Sequence, residues 1–211
     1  MARSKSSKRW LKEHFDDPFV KRAQAEGVRS RATYKLEELI ERDHLLKPGM
    51  VVVDLGAAPG GWAQLVANAL DGRGKVVALD ILPMSTIAGV DVIQADFRDL
   101  EALEQLDSAL AGARVDLVLS DLAPNMTGVA SVDQARALEL AELARDFADL
   151  HLRSGGAFLA KLFQGVGFDG FLKDLRARYA KIAMRKPKAS RARSPEVYAL
   201  CTGFRGKNPL S

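Results

Sequence analysis

The 211-residue chain has one cysteine, Cys201, and three histidines, at positions 14, 44 and 151. A single thiol excludes a disulfide framework and a cysteine-built zinc site. Histidines this scattered form no metal-ligand cluster, so no metal is expected. Long apolar runs are missing too. The longest uncharged stretch, residues 55–70, is interrupted by Pro59-Gly60-Gly61 and is too short and too broken to span a bilayer. The basic start, residues 1–9, leads into Trp10-Leu-Lys-Glu-His14 rather than an apolar segment, so no signal peptide is expected and the cytoplasm is the expected compartment. Hydrophobic residues at 47% and charged residues at 27% exclude global disorder. The length suits one domain with a core large enough to need no staples.

Both ends are basic, and acids are scarce at the second. Residues 176–211 carry ten Lys/Arg and a single acid, Glu196, for a net charge of +9. Residues 1–35 are net +6, whereas residues 36–175 are net −11. Two basic ends around an acidic middle point to ends that meet on a polyanion-binding face. Flexible basic tails are the plainer reading. Against it, Trp10, Phe15, Phe19, Tyr34, Tyr179 and Tyr198 are interleaved with the charges, as in a segment that folds or stacks.

Between the ends, short Val/Leu-rich runs alternate with amphipathic stretches. Residues 50–54, 75–80, 91–96, 115–120 and 157–161 read as strands, the last after a Gly155-Gly156 turn. Residues 31–46, 62–70, 99–110, 133–151 and 168–179 read as helices, and 181–184 and 197–201 as two final strands. This alternation predicts an α/β fold, a doubly wound and mostly parallel sheet with helices on both faces. The expected organisation is a basic arm or short helix over 1–30, one domain over 31–204 and a tail over 205–211.

The strongest local signal is Val53-Asp54-Leu55-Gly56-Ala57-Ala58-Pro59-Gly60-Gly61-Trp62. A first strand runs into a glycine-rich turn and then a helix, where an open α/β sheet binds its ligand. Gly-x-Gly-x-x-Gly is absent, which speaks against a pyrophosphate-bearing dinucleotide. Asp-x-Gly-x-x-Pro-Gly-Gly suits an amine-bearing ligand better. Asp80 closes the second strand, where an acid accepts hydrogen bonds from ribose hydroxyls. Asp96 closes the third and can read an exocyclic amino group. Either alone is an ordinary strand-end residue, but three acids ending three successive strands around one glycine loop make a site. Asp71 and Asp99 look like plain turn and helix-start residues. Asp121 follows the fourth strand and Lys161 ends the fifth, where an apolar strand gains nothing from a charge. Snorkelling is the plain alternative for Lys161. A solvated helix face is the alternative for Lys35, and a simple ion pair for Glu196.

Asp54-Leu-Gly-Ala-Ala-Pro-Gly-Gly-Trp62, Asp121-Leu-Ala-Pro-Asn125, Lys161-Leu-Phe-Gln-Gly165 and Ser190-Arg-Ala-Arg-Ser194 with Glu196-Val-Tyr198 together resemble the FtsJ/RrmJ (RlmE) family. Its members are ribosomal RNA 2′-O-ribose methyltransferases dependent on S-adenosyl-L-methionine (SAM), with S-adenosyl-L-homocysteine as product. The resemblance covers nearly the whole chain. It implies a Rossmann-like fold with a seven-stranded sheet, and a catalytic set on Lys35, Asp121, Lys161 and Glu196. It implies a SAM site on Gly60, Trp62, Asp80, Asp96 and Asp121. Ribosomal RNA of the large subunit, a uridine of it, is the implied substrate. Pro195 departs from the family pattern, where a basic residue precedes the glutamate. That bears on an RNA contact rather than on the catalytic set.

Methyl transfer from a sulfonium to a hydroxyl needs a positioned acceptor and a group that removes its proton. Positioning alone supplies roughly 7–11 kcal/mol. An unperturbed lysine is neutral only about one time in 2,500 at pH 7. A neighbouring cation favours the neutral amine and carboxylates oppose it. Other readings are methylation of transfer RNA or an mRNA cap, a nicotinamide-dependent oxidoreductase, and a non-catalytic RNA-binding module. A monomer is expected, with no membrane partner. No appended RNA-binding domain is evident, which suits a preassembled ribosomal particle as substrate.

Overall fold

The computed structural model describes residues 17–191 and 194–206. The expected basic arm over 1–9, Trp10, Phe15, Arg193 and the end of the expected tail lie outside them. Two short elements come first, α1 (Pro18–Glu26) and α2 (Thr33–Asp43). The alternating body follows as β1 (Val51–Leu55), α3 (Gly61–Leu70), β2 (Lys75–Asp80), β3 (Val90–Gln94), α4 (Leu100–Leu110) and β4 (Val115–Ser120). The rest is α5 (Ala130–His151), β5 (Leu152–Phe163), α6 (Phe168–Arg178), β6 (Tyr179–Arg185) and β7 (Glu196–Phe204).

The seven strands lie in the order β3-β2-β1-β4-β5-β7-β6. Neighbours pair in parallel from β3 to β5, and β7 is the antiparallel strand inserted between β5 and β6. The order reverses at β1, so the gap between the β1 and β4 ends is the switch point at which open sheets bind ligands. Side-chain alternation gives the central strands β1, β2 and β4 two buried faces. Val53 and Leu55 pack with Phe147 of α5 and Leu175 of α6, whereas Val52 packs with Leu39 of α2 and Val66 of α3. Helices α4, α5 and α6 thus cover one face, and α2 and α3 the other. Each fully buried Leu or Val on these faces contributes roughly 1.5–3 kcal/mol.

Two local expectations are corrected. Gly155-Gly156 is not a turn before β5 but lies inside the strand, which begins at Leu152. Its pairing with β4 shifts register between Val115 and Leu117, and Gly155 adopts φ +79° within that irregularity. Glycine there reads as a turn in sequence, yet also marks strand irregularities. The third strand ends at Gln94, two residues before Asp96. Asp71 does end α3, in the left-handed conformation, and Asp99 sits at the start of α4 without capping it through its side chain.

Helix α1 is capped by Asp17, whose carboxylate accepts the Phe19 amide hydrogen bond at 2.9 Å. It packs through Ala23 against Tyr34 and Ala189. Arg31 bonds both Asp17 and the Ala189 carbonyl, so residues near the two basic ends meet in space. None of the described helices is long and apolar enough to cross a membrane.

Candidate active site

Strand register builds the site. Ser120, the last residue of β4, lies opposite Ala160 of β5, which sets Asp121 beside Lys161. On the other flank of β5, Lys161 lies opposite Tyr198 of β7 and Phe163 opposite Glu196. The inserted strand therefore delivers Glu196 and Tyr198 to the lysine from the far end of the chain. Helix α2, held over this face by Leu36 and Leu39, brings Lys35.

The four sequence-predicted groups converge as two ion pairs. Lys161 Nζ lies 3.1 Å from Asp121 Oδ1 and donates to the Asp121 carbonyl oxygen at 2.6 Å. Lys35 Nζ donates to Glu196 Oε1 at 2.6 Å. Sequence reasoning missed the group that joins them. The Tyr198 hydroxyl donates to Asp121 Oδ1 at 3.0 Å and accepts from Lys35 Nζ at 3.2 Å. Its signal was present, an aromatic two residues after Glu196, but its role depends on the β5–β7 register. Burial, then the charges of Asp121 and Glu196, push the Tyr198 phenol far up, so it stays neutral and can donate. Burial pushes Glu196 up as well. The hydrogen bond and charge of Lys35, with Lys161 beyond, prevail and hold it below its ordinary value.

The glycine loop lies at the switch point. Gly56, at φ +78°, passes so close to the β4 end that a Cβ there would lie 2.9 Å from Leu122 N. Gly60 occupies the position before α3 at φ +99°, leaving the first turn of that helix open at the loop. The Trp62 side chain is spent inside the protein. Its indole donates to the Ala32 carbonyl at 2.7 Å and its ring lies 5.8 Å from that of Tyr198. Any ligand contact from Trp62 therefore comes from its backbone. Asp80 accepts the Ala58 amide hydrogen bond at 2.9 Å and that of Leu82 at 2.8 Å, tying the loop to the end of β2. Asp96 faces Arg98, whose hydrogen bonds hold its carboxyl down at about 2.

Asp54 is the outlying feature. It is fully buried beneath the loop, where neither carboxylate oxygen has a hydrogen bond of good geometry and the Ala63 amide alone favours its charged form. Burial, reinforced by Asp121 and Asp80, pushes its pKa well above the ordinary value. An orphaned buried acid under a glycine loop fits a cationic, amine-bearing ligand that would complete its interactions.

Beyond the ion pairs, a cavity of about 460 Å³ opens between the two basic segments. Arg31 and Lys35 line it from one, and Arg191 from the other. Lys186 Nζ donates to the Glu196 carbonyl at 2.7 Å, and the Lys188 amide to Glu38 of α2 at 2.8 Å, fastening the loop before β7 over α2.

Comparison with known proteins identifies the family. Residues 28–204 match the family model described as FtsJ-like methyltransferase. A protein of Stenotrophomonas maltophilia named ribosomal RNA large subunit methyltransferase E is 65% identical over 96% of this chain and 97% of its own. A protein of the same name from Xylella fastidiosa is 59% identical over 100% and 99%. Among solved structures, a ribosomal RNA methyltransferase from Plasmodium falciparum superimposes with a TM-score of 0.77 at 26% identity, covering 85% of this chain and all of that one. Strand order, glycine loop and relatives lead to one assignment: the chain belongs to the FtsJ-like methyltransferase family.

Proposed function

We propose that this enzyme methylates a ribose 2′-hydroxyl of ribosomal RNA in the large subunit, with SAM as donor. The observation that carries the reading is the pair of lysine–carboxylate contacts joined by Tyr198, set between the glycine loop and a cation-lined cavity. The names of the relatives supply the substrate class.

When bound, SAM brings a methyl group already activated on a sulfonium. Asp80, with the backbone of Gly60 and Trp62, would hold it, and Asp54 beneath the loop would add negative charge for its cationic part. Asp96 would serve too, sharing its carboxylate with Arg98. Lys161 sits at the acceptor end. Its amine, once neutral, takes the 2′-hydroxyl proton as the oxygen gains its methyl, so the enzyme keeps the proton that the ribose loses. Asp121 aims Nζ through two contacts, and Tyr198 keeps Asp121 in place. Lys35, anchored by Glu196, adds a positive field beside the developing oxyanion. Arg31 and Arg191 flank the entrance, where backbone phosphates would pass.

Nucleoside mass spectrometry tests this directly. Large subunits from cells lacking the gene should lose one 2′-O-methylated nucleotide and regain it on incubation with the enzyme and SAM. Regaining a base methylation instead, or none, would sink the proposal.

A further inference from the structure

At Pro195, the residue before Glu196, lies a second, smaller cleft of about 100 Å³. Its walls are Met126, Ala130, Ala137, Phe163 and Pro195, with two polar side chains, the Gln134 carboxamide and the Asp133 carboxylate. It is continuous with the catalytic groups. Pro195 precedes Glu196 in the chain, Phe163 lies opposite Glu196 in the sheet, and the Phe163 ring centroid is 6.0 Å from Lys161 Nζ.

The cleft is held open by specific features. Asp133, buried at the start of α5, accepts hydrogen bonds from Thr127 N and Oγ1, both at 2.7 Å, and from Gly128 N at 3.0 Å. The loop carrying Met126 is thus pinned, although the Met126 side chain itself is 66% exposed. Gly165 has no side chain where a Cβ would lie 2.5 Å from the Gln134 carboxamide. That absence makes the space in which Gln134 lies, its Nε2 only 3.5 Å from the Gln164 carbonyl. Small residues at 130 and 137 leave the remainder empty.

The chemistry differs from that of the larger cavity. Arginine and lysine suit phosphate, whereas an aromatic ring, a thioether and an amide, beside an Asp133 carboxylate already bonded to Thr127 and Gly128, suit a planar heterocycle with hydrogen-bonding edges. Resting on the proposed function, a further constraint applies. The base of the acceptor nucleotide is bonded to the ribose carbon next to the one bearing the 2′-oxygen, so with that oxygen at Lys161 its base must lie close by. We infer that this cleft receives the base of the nucleotide being methylated, unstacked from its neighbours. Phe163 and Met126 lie against it and Gln134 bonds its edge.

The test uses large subunits from cells lacking the gene, with variants Met126→Ser, Gln134→Ala and Phe163→Ala. For Phe163→Ala, kcat/KM for the particle should fall about 5- to 150-fold, the range for losing one base–aromatic stack. Met126→Ser and Gln134→Ala should fall in the same direction. SAM affinity and melting temperature of Met126→Ser and Gln134→Ala should stay at wild-type values, which a merely structural role would not allow. If Met126→Ser and Gln134→Ala both stay within twofold of wild type in kcat/KM, the base does not bind here. If wild type itself leaves the particle's riboses unmodified, the functional reading fails and this inference with it.

Discussion

Replacing Lys161 separates proton removal from positioning. Its side chain is 8% exposed and contacts only Asp121 among the described ion pairs, so truncation to alanine removes one half of a nearly buried pair. The partner is not abandoned, because Asp121 keeps the Tyr198 hydroxyl at 3.0 Å and its side chain is 20% exposed. The stability cost therefore falls between the about 0–1 kcal/mol of a surface pair and the about 3–5 kcal/mol of breaking a buried one. Taking about 1–3 kcal/mol, the melting temperature should drop by roughly 2–12 °C. The protein should still fold and bind SAM. Loss of the proton acceptor should slow methyl transfer by about 10²–10⁴-fold. Lys161→Arg restores the charge and an ion pair with Asp121, so stability should recover. Activity should not, because a guanidinium keeps its proton at any workable pH. The decisive assay is single-turnover methylation at saturating SAM and RNA. An arginine variant within about threefold of wild type would falsify the base assignment and leave Lys161 an electrostatic positioner.

Asp54→Asn should raise the melting temperature of the ligand-free protein at pH 8 while weakening SAM binding. The folded-state pKa of Asp54 is raised, so the folded protein binds a proton that the unfolded chain has lost, and stability declines as pH climbs from the unfolded pKa toward the folded one. A melting temperature that falls in the variant, or an unchanged pH dependence, contradicts this. Gly56→Ala should cost about 1–3 kcal/mol from its positive φ alone, more from the contact with Leu122 N, and should impair SAM binding in calorimetry. An unaffected variant would show that the loop has room. Arg191→Glu should weaken RNA binding, lower its salt dependence and leave SAM affinity intact. An unchanged salt slope would remove the 460 Å³ cavity from the RNA path.

Much of this protein is determined by short-range patterns. The Val-rich β1 and β2, the glycine turn after Asp54 and the helix from Gly61 are legible because strand and helix periods and the backbone freedom of glycine act within a few residues. Family resemblance in the motifs named Lys35, Asp121, Lys161 and Glu196. What that reading leaves open is how those groups meet. Residues 35 and 196 touch only because β7 inserts between β5 and β6 and α2 packs over that face. Tyr198 becomes a bridge only through its pairing opposite Lys161. The same glycine pair, Gly155-Gly156, that reads as a turn is drawn into β5 by pairing along β4. Asp54 looks like one acid in a loop motif until burial strips away its partners. Local conformation follows from sterics and hydrophobic spacing along the chain, whereas a buried charge, a hydrogen-bonded bridge and a cleft depend on which distant strands lie side by side.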